Sequence, residues 1–356
     1  MKIMTIAGTR PQLVKIGAVS RILRESFNEI LVNTGQHYDY KMAGVFFDEL
    51  KIPKPDYDLG VGSDSHGRQT GRMMIALEEV VEKEKPSAIL VYGDTNSTLA
   101  GAIVAAKLHI PIIHIEAGLR SYNKKMPEEL NRILTDHIST LLFTPTENAG
   151  DNLKREGIEE GVHQVGDVMY DAVKFNIGLA EEKYKLDDFA LEEKGYILGT
   201  IHRADNTDNP ERLRAILEAF SEVKEIIYLP LHPRTKKMIE NSGFQSIVEQ
   251  SENIRIVEPI SYLEMLFLEK NAKAIVTDSG GVQKEAYFAK VPCLTLRDQT
   301  EWVETIETGW NQLVNPLEEN LSVKISNLTV GEPIENLYGD GQAAQKITSI
   351  IQKQFI

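Results

Sequence analysis

KIMTIAGTRPQLVKIGAVSRILRE, residues 2–25, joins a short apolar run to a longer amphipathic one through a glycine turn. The run at 2–7 is short and rich in apolar residues, which is typical of a buried strand. In the run at 12–25 apolar residues recur every three or four positions, which indicates a helix. A strand followed at once by a helix is the unit from which parallel sheets covered by helices are built.

The same alternation continues along the chain. We predict further strands at 30–34, 88–92, 112–116, 141–144 and 163–165, and helices at 41–50, 72–84, 96–107, 128–139 and 147–156. After a polar, charge-dense stretch at 181–194 it begins again, with strands at 196–201, 226–230, 254–257, 274–277 and 293–296. The fold class is therefore α/β.

The restart divides the chain into domains. At 356 residues the chain is longer than a single core usually serves, so we expect two domains. We place the boundary within residues 167–195, where the polar stretch lies. Two domains also imply a cleft, and ligand sites often occur between domains.

The charge balance limits the partners. The chain has 53 acidic and 39 basic residues and a net charge of −14, which argues against binding to nucleic acid. Its apolar runs stop short of the ~20 residues needed to cross a bilayer, so no membrane partner is expected. The first residues lack the features of a secretion signal, and we expect a cytoplasmic protein.

Neither a metal nor a cofactor is expected. The sequence has no His-Glu-x-x-His motif and no cysteine pair, which are the spacings typical of zinc sites. No Gly-x-Gly-x-x-Gly follows a predicted strand, and the degenerate GDGQAA at 339–344 has no strand before it. The single cysteine, Cys293, lies in an apolar run and is expected to be a buried structural thiol rather than a nucleophile.

Two cations follow the first predicted strand. Arg10 lies in the turn after the strand, and Lys15 lies in the helix. In open α/β sheets ligands bind at the carboxyl ends of the strands, so this pair could clamp a diphosphate. A tight turn with surface cations is the structural alternative.

Three acidic residues, Asp94, Glu116 and Glu128, are candidate acid–base groups. The first two end successive predicted strands, and Glu128 lies in the first turn of a helix that begins at Pro127. Acids at helix starts commonly cap amides and offset the helix dipole, which is the structural alternative for Glu128 and its neighbour Glu129. Carboxylates crowded into one cleft can instead shift each other's pKa values and take acid and base roles.

The second half contributes histidines and a glycine turn. His202 and His232 follow predicted strands, and either could be a general acid or base, although such histidines often only pack or hydrogen-bond. TDSGGVQKEA at 277–286 predicts a strand end, a turn and a helix start, where backbone amides can close on phosphate oxygens. Glu285, one turn into that helix, could accept the two hydroxyls of a ribose. A plain strand-to-helix turn is the alternative.

Read together, six motifs resemble those of the non-hydrolysing UDP-N-acetylglucosamine 2-epimerases. They occur in the order of that family and span nearly the whole chain: GTRP (8–11), GDTN (93–96), HIEAGLR (114–120), PEE (127–129), TIHR (200–203) and DSGG (278–281). The resemblance implies that Asp94, Glu116, Glu128 and His202 are catalytic. It also implies that the UDP site is formed by Arg10, Ser279, Gly280, Gly281 and Glu285. Lys15 would be a supporting cation at this site.

The resemblance further implies two Rossmann-like lobes in a GT-B-like arrangement with an interdomain cleft. Residues 1–170 would form the N-terminal domain, joined by a C-terminal helix at 341–356, and residues 171–340 the UDP-binding domain. Family members are generally homodimers. We therefore expect this chain to form a homodimer. We also expect it to bind a UDP-sugar as its substrate.

The implied reaction interconverts UDP-GlcNAc and UDP-ManNAc. The proton on carbon 2 is weakly acidic, so its removal is coupled to the departure of UDP, which leaves a 2-acetamidoglucal. Addition of UDP with protonation from the other face gives the epimer. The alternatives are a hydrolysing epimerase, a GT-B glycosyltransferase and a non-catalytic module that binds nucleotide sugars.

Two departures from the common bacterial pattern concern the sugar. EWVE at 301–304 replaces Glu-Arg-Pro-Glu, and Lys284 replaces an acid. These changes look more like the branch that acts on UDP-2,3-diacetamido-2,3-dideoxyglucuronate. We hypothesise that an extra cation at Lys284 serves the extra anionic group of that sugar.

Overall fold

The computed structural model describes residues 1–36, 47, 49–300, 302–331 and 336–355. The chain divides into two compact units, Met1–Ala172 with Asn336–Ile356, and Val173–Glu335. Within the described residues, no helix has both the length and the apolar character that a membrane crossing requires.

The first unit is built on a parallel sheet. Its seven strands are β1 (Lys2–Ala7), β2 (Asn28–Asn33), β3 (Tyr57–Asp58), β4 (Ala88–Tyr92), β5 (Ile112–Ile115), β6 (Leu141–Thr144) and β7 (Val162–Gln164). They lie in the order β3-β2-β1-β4-β5-β6-β7. All five residues of β4 are buried, as expected for a central parallel strand covered by helices on both faces.

Six helices of the first half accompany this sheet in the described residues. They are α1 (Arg10–Leu23), α2 (His66–Glu84), α3 (Asn96–Lys107), α4 (Pro127–Ile138), α5 (Glu147–Arg155) and α6 (Val168–Lys183). Leu77 and Val81 of α2 and Ala100 and Val104 of α3 belong to a buried cluster that also includes strand residues such as Val91. This apolar packing fixes the strand ends that carry the candidate site.

The second unit repeats the plan with a six-stranded parallel sheet. Its strands are β8 (Tyr196–Thr200), β9 (Ile226–Pro230), β10 (Ile254–Val257), β11 (Ala274–Thr277), β12 (Cys293–Thr295) and β13 (Asn311–Leu313). Their order is β10-β9-β8-β11-β12-β13. The helices that follow α6 are α7 (Ala204–Thr207), α8 (Pro210–Glu222), α9 (Pro233–Asn241), α10 (Gln245–Glu249), α11 (Tyr262–Asn271), α12 (Gly280–Phe288), α13 (Val303–Glu307) and α14 (Leu321–Ser326).

The predicted class, two Rossmann-like α/β units with parallel sheets, is confirmed. The sequence did not predict β3 and β13, since strands of two and three residues carry too little pattern. α2 begins at His66 rather than at 72, because the polar run HGRQTG hides its first turns. Most of the helix predicted at 41–50 lies outside the described residues.

The last helix, α15 (Ala343–Phe355), packs within the first unit. The Asp171 carboxylate accepts hydrogen bonds from the amides of Ala343 (3.1 Å) and Ala344 (2.8 Å) at the start of α15. Further along, Gln352 Nε2 donates to Ser26 Oγ at 2.7 Å. The glycine-rich pattern before this helix is therefore a structural turn, capped by Asp171.

Replacing Asp171 by alanine should loosen α15. Two buried amides would lose their acceptor, and leaving such groups unpaired costs about 1–3 kcal/mol each. Hydrogen–deuterium exchange across 343–355 should therefore be faster than in the wild type. Asp151→Ala, at an exposed position of α5, is the matched control and should leave this exchange unchanged. Equal protection of α15 in all three proteins would contradict the capping role.

Candidate active site

The carboxyl edge of the first sheet brings two acidic residues together. β4 ends at Tyr92 and β5 ends at Ile115, and these two residues are paired neighbours in the sheet. Glu116 follows Ile115 directly, and Asp94 follows Tyr92 after Gly93. A Cβ atom on Gly93 would lie 3.3 Å from Glu116 Oε2, so the two turns approach closely. The predicted candidates Asp94 and Glu116 thus share one edge.

Glu116 is held in an unusual backbone conformation and faces a cation. Its φ is 70°, in the left-handed region that residues with a Cβ rarely adopt. Its Oε2 accepts a hydrogen bond from Lys15 Nζ, and the two side chains are only 8% and 13% exposed. Burial disfavours the charge of Lys15, but Glu116, Asp167 and Asp94 together raise its pKa above the ordinary value. Lys15 therefore stays an ammonium.

Asp94 faces a different cation, Arg132 of α4. Arg132 Nη2 lies 2.5 Å from Asp94 Oδ2, and Asn131 Nδ2 donates to the backbone oxygen of Asp94 at 2.9 Å. Burial raises the pKa of Asp94, and the charge of Glu116 adds to this rise, whereas Arg132 and Lys15 oppose it. The two neighbouring carboxyl groups therefore have different electrostatic surroundings.

The two glutamates at the start of α4 differ in their roles. Glu129 is 1% exposed and accepts hydrogen bonds from the amides of Ser121 and Tyr122, both at 2.8 Å. It also lies 3.2 Å from Arg132 Nη1. Glu129 therefore organises the loop before α4, whereas Glu128 is exposed to solvent at the first turn of the helix.

The turn after β1 requires a glycine and is cross-linked by Gln12. A Cβ atom on Gly8 would clash with Thr34 Oγ1. Gln12 Oε1 accepts the amide of Gly8 at 2.9 Å, and its Nε2 donates to the backbone oxygen of Tyr92 at 2.8 Å. This holds the β1 turn against the β4 turn. Arg10, the first residue of α1, is exposed beside it.

In the second unit, Asp278 fixes the loop that carries His202. β8 and β11 are paired neighbours, so their following loops lie at one edge. Asp278 is fully buried and accepts the amides of His202 (3.1 Å) and Arg203 (3.0 Å) and Nδ2 of Asn206 (3.1 Å). His202 Nδ1 lies 3.1 Å from Asp278 Oδ1, and the His202 side chain is 51% exposed. Asp278 thus orients the imidazole through Nδ1, and the rest of the ring is accessible to solvent.

The start of α12 is next to this loop in the same unit. Ser279 is its N-cap residue, and the Ser279 side chain makes no capping hydrogen bond to the helix. Ser279 and Gly280 are partly exposed and Gly281 is exposed, so the first amides of the helix face an accessible edge. One turn later Glu285 is 5% exposed and accepts a hydrogen bond from Tyr262 Oη at 2.8 Å.

Two other residues considered from the sequence have structural roles. His232 Nδ1 accepts the amide of Arg234 at 3.2 Å and so caps α9. Cys293 is 1% exposed in β12, and burial raises the pKa of its thiol to about 12. The expected buried thiol is confirmed.

The sequence predicted the acids but not the residues that hold them. It indicated no role for Arg132 or Gln12, and Asp278 was only part of the turn at 277–286. Gln12 carried one signal, since a glutamine three residues after Thr9 fits a capping box. Arg132 lies four residues after Glu128, and only the packing of α4 against α3 and β5 brings its side chain to Asp94.

Comparison with known proteins identifies the family of this chain. The model of the family described as UDP-N-acetylglucosamine 2-epimerase matches residues 21–352. A UDP-N-acetylglucosamine 2-epimerase homolog of Methanococcus maripaludis is 53% identical over 355 residues, covering 99% of both chains. The UDP-2,3-diacetamido-2,3-dideoxy-D-glucuronate 2-epimerase of Pseudomonas aeruginosa is 48% identical, covering 99% of this chain and 100% of that protein.

Solved structures agree in fold. A UDP-GlcNAc 2-epimerase of Methanocaldococcus jannaschii, in complex with UDP-GlcNAc and UDP, superposes with a TM-score of 0.84 at 45% identity over 99% of this chain and 100% of that one. A calicheamicin glycosyltransferase, at a TM-score of 0.54 and 14% identity over 99% and 94% of the two chains, shares the fold alone, as expected for a GT-B-like protein. The chain belongs to the UDP-N-acetylglucosamine 2-epimerase family.

Proposed function

We propose that this chain is a non-hydrolysing 2-epimerase that interconverts UDP-N-acetylglucosamine and UDP-N-acetylmannosamine. The observation that carries the proposal is the pair Asp94 and Glu116, two carboxyl groups at adjacent strand ends that each face a cation. Family membership and the complex of the Methanocaldococcus relative with UDP-GlcNAc and UDP support the substrate. A cytoplasmic location stays a prediction.

The proposed reaction begins with elimination. A carboxylate takes the proton from carbon 2 of the sugar, the electrons of that C–H bond form a carbon–carbon double bond, and the bond from carbon 1 to the diphosphate oxygen breaks. UDP leaves with the bonding electron pair, and the sugar becomes 2-acetamidoglucal. In the return step a diphosphate oxygen attacks carbon 1 while an acid protonates carbon 2 from the opposite face. Acid–base groups on both faces are therefore needed.

Asp94 and Glu116 are proposed to share these proton transfers. A carboxyl group with a raised pKa is better suited to take and return a proton near neutral pH, and burial raises the pKa of Asp94. The ammonium of Lys15 holds Glu116 in position and compensates its charge. Glu128, exposed at the start of α4, is proposed as a third acid–base group that meets the sugar.

UDP is proposed to bind at the start of α12. The amides of Ser279, Gly280 and Gly281 lie at a helix N-terminus, where the dipole favours a diphosphate. Glu285 would accept hydrogen bonds from the ribose hydroxyls. His202 and Arg10 would face the diphosphate, where positive or hydrogen-bonding groups stabilise the charge of the leaving UDP.

A second substrate, the UDP-2,3-diacetamido-uronate, is favoured by the name of the Pseudomonas relative. The position of Lys284 gives little support to the predicted contact with the anionic group of that sugar. Lys284 is 4% exposed, and its ammonium lies 4.1 Å from the centroid of the Trp302 ring, which gives the cation a partner within the second unit. Glu301, part of the same departure from the family pattern, lies outside the described residues.

Proton NMR in heavy water tests the reaction with both sugars. The wild type should replace the hydrogen on carbon 2 of UDP-GlcNAc by deuterium and produce the epimer without net release of UDP. Asp94→Asn and Glu116→Gln should slow this exchange by about 10²–10⁴-fold, since each removes a proton-transfer group. The exposed Glu147→Gln is the control and should exchange like the wild type.

The outcomes separate the alternatives. Net release of UDP and free N-acetylmannosamine would indicate a hydrolysing epimerase. Binding of UDP-sugars without exchange at carbon 2 would contradict epimerisation and favour a glycosyltransferase or a binding module. Exchange at carbon 2 of the diacetamido-uronate but not of UDP-GlcNAc would show that the proposed reaction is right and the proposed substrate is wrong.

Removing Arg132 should change the pH dependence in a defined direction. The charge of Arg132 lowers the pKa of Asp94, so Arg132→Gln should raise it further. A neighbouring arginine typically lowers an aspartate pKa by about 1–3 units. The limb of the kcat/KM profile that reports Asp94 should therefore move to higher pH. Arg214→Gln, which removes an exposed arginine paired with Glu218, should leave the profile in place. An unmoved limb in Arg132→Gln would contradict the assignment.

We also propose a homodimer that forms through the outer face of α4. Leu130, Leu134 and Ile138 recur every four residues and are 46%, 51% and 38% exposed, so they form one apolar stripe on the helix. The same helix contributes Asn131 and Arg132 to Asp94 on its other side.

Light scattering tests the dimer. The wild type should have twice the chain mass of 40.0 kDa, and Leu134→Glu should have the mass of one chain, because a charge would be buried without a partner. Val323→Glu replaces an equally exposed apolar residue, 52% exposed in the second unit, and should not change the mass. A dimeric Leu134→Glu protein would contradict this interface.

A further inference from the structure

A buried network of charged side chains lies beneath the turns of Asp94 and Glu116. His114 of β5 is fully buried, and Asp136 of α4 is 1% exposed. His114 Nδ1 lies 2.7 Å from Asp136 Oδ1, and Arg120 Nη1 donates to Asp136 Oδ2 at 2.7 Å. The proposed reaction uses neither His114 nor Asp136 directly.

The network continues outward to Glu156. The Arg120 side chain is 1% exposed, and its Nε and Nη2 donate to the two carboxylate oxygens of Glu156, both at 2.7 Å. This is a bidentate pair, in which geometry as well as charge fixes the guanidinium. Arg120 is therefore a rigid partner for Asp136.

The hydrogen bonds fix the orientation of the His114 ring. Its Nε2 lies 2.7 Å from the backbone oxygen of Gly93, which can only accept, so Nε2 carries a proton. Burial alone would raise the pKa of Asp136, but its hydrogen bond with His114 and the charge of Arg120 hold it below the ordinary value. Both ring nitrogens of His114 therefore have fixed internal partners, Gly93 and Asp136.

The two ends of this hydrogen-bonded pair hold the turns that carry Asp94 and Glu116. The oxygen of Gly93, the residue before Asp94, accepts from His114. The amide of Gly118, two residues after Glu116, donates to Asp136 Oδ2 at 3.2 Å. The turns adopt positive φ at Gly93 (61°), Glu116 (70°) and Gly118 (81°), conformations that need support from their surroundings.

We propose that the hydrogen-bonded pair His114–Asp136 is a positioning element that sets the separation of Asp94 and Glu116 during epimerisation. The inference rests on the proposed function. His114 transfers no proton to the sugar, because both ring nitrogens face fixed internal partners. Its contribution is to keep two carboxyl groups in reach of one carbon atom, and a displacement of about 1 Å can cost on the order of 10² in rate.

Two substitutions of His114 separate its two hydrogen bonds. The longer amide of His114→Gln can donate near the Nε2 position and keep the bond to Gly93, whereas His114→Asn can keep only the bond to Asp136. Both substitutions break the connection between the two turns, so we expect each to lower kcat for exchange at carbon 2, by about 10²-fold in His114→Asn, where the Gly93 turn loses its hydrogen bond. The dissociation constant for UDP should stay unchanged in both, which also shows that the variants are folded. His109→Asn, at an exposed position, should match the wild type.

Nitrogen NMR of histidine-labelled protein observes the hydrogen bonds of His114 without substrate. The His114 signals are identified by their loss in His114→Gln. The Nε2 proton should be protected from exchange with solvent in the wild type, because it is buried and bonded to the oxygen of Gly93. A rapidly exchanging Nε2 proton in the wild type, or a kcat of His114→Asn within twofold of the wild type, would overturn the proposal. Failure of the wild type itself to exchange either sugar would instead overturn the proposed function.

Discussion

Placing two carboxyl groups side by side where they are partly shielded from water is unfavourable unless each has a cation and fixed hydrogen bonds. In this chain Lys15 faces Glu116 and Arg132 faces Asp94. The two cations come from α1 and α4, which flank the strands that carry the acids. The order of the strands, the placement of the two helices and the positive φ of Glu116 together bring each acid to its cation. The proposed chemistry depends on these two pairs.

Parallel strand order explains why local motifs far apart in sequence meet. β4 and β5 are neighbours, as are β8 and β11, so the residues after each pair lie at one sheet edge. The sequence predicted these strands because buried parallel strands are short apolar runs. It also predicted that Asp94 and Glu116 end successive strands, and the structure shows that these strands are neighbours in the sheet.

The partners of the acids could not be predicted in the same way. Arg132 and Asp136 lie on α4, and their directions depend on how that helix packs against α3 and β5 rather than on local pattern. Asp278 was read as part of a phosphate-binding turn, whereas its carboxylate organises the loop of His202. Lys284 was read as a ligand for an anionic sugar, but its ammonium lies over Trp302. Burial and packing, not spacing, decide these roles.

In the proposed function, Asp94 and Glu116 act on carbon 2 of a sugar whose nucleotide binds at the start of α12. A crystal structure of the protein with UDP and UDP-GlcNAc bound tests it most directly. We predict diphosphate oxygens on the amides of Ser279 and Gly280, and both carboxyl groups within about 3–3.5 Å of carbon 2 or its hydrogen. A sugar ring bound with carbon 2 remote from both carboxyl groups would contradict the account.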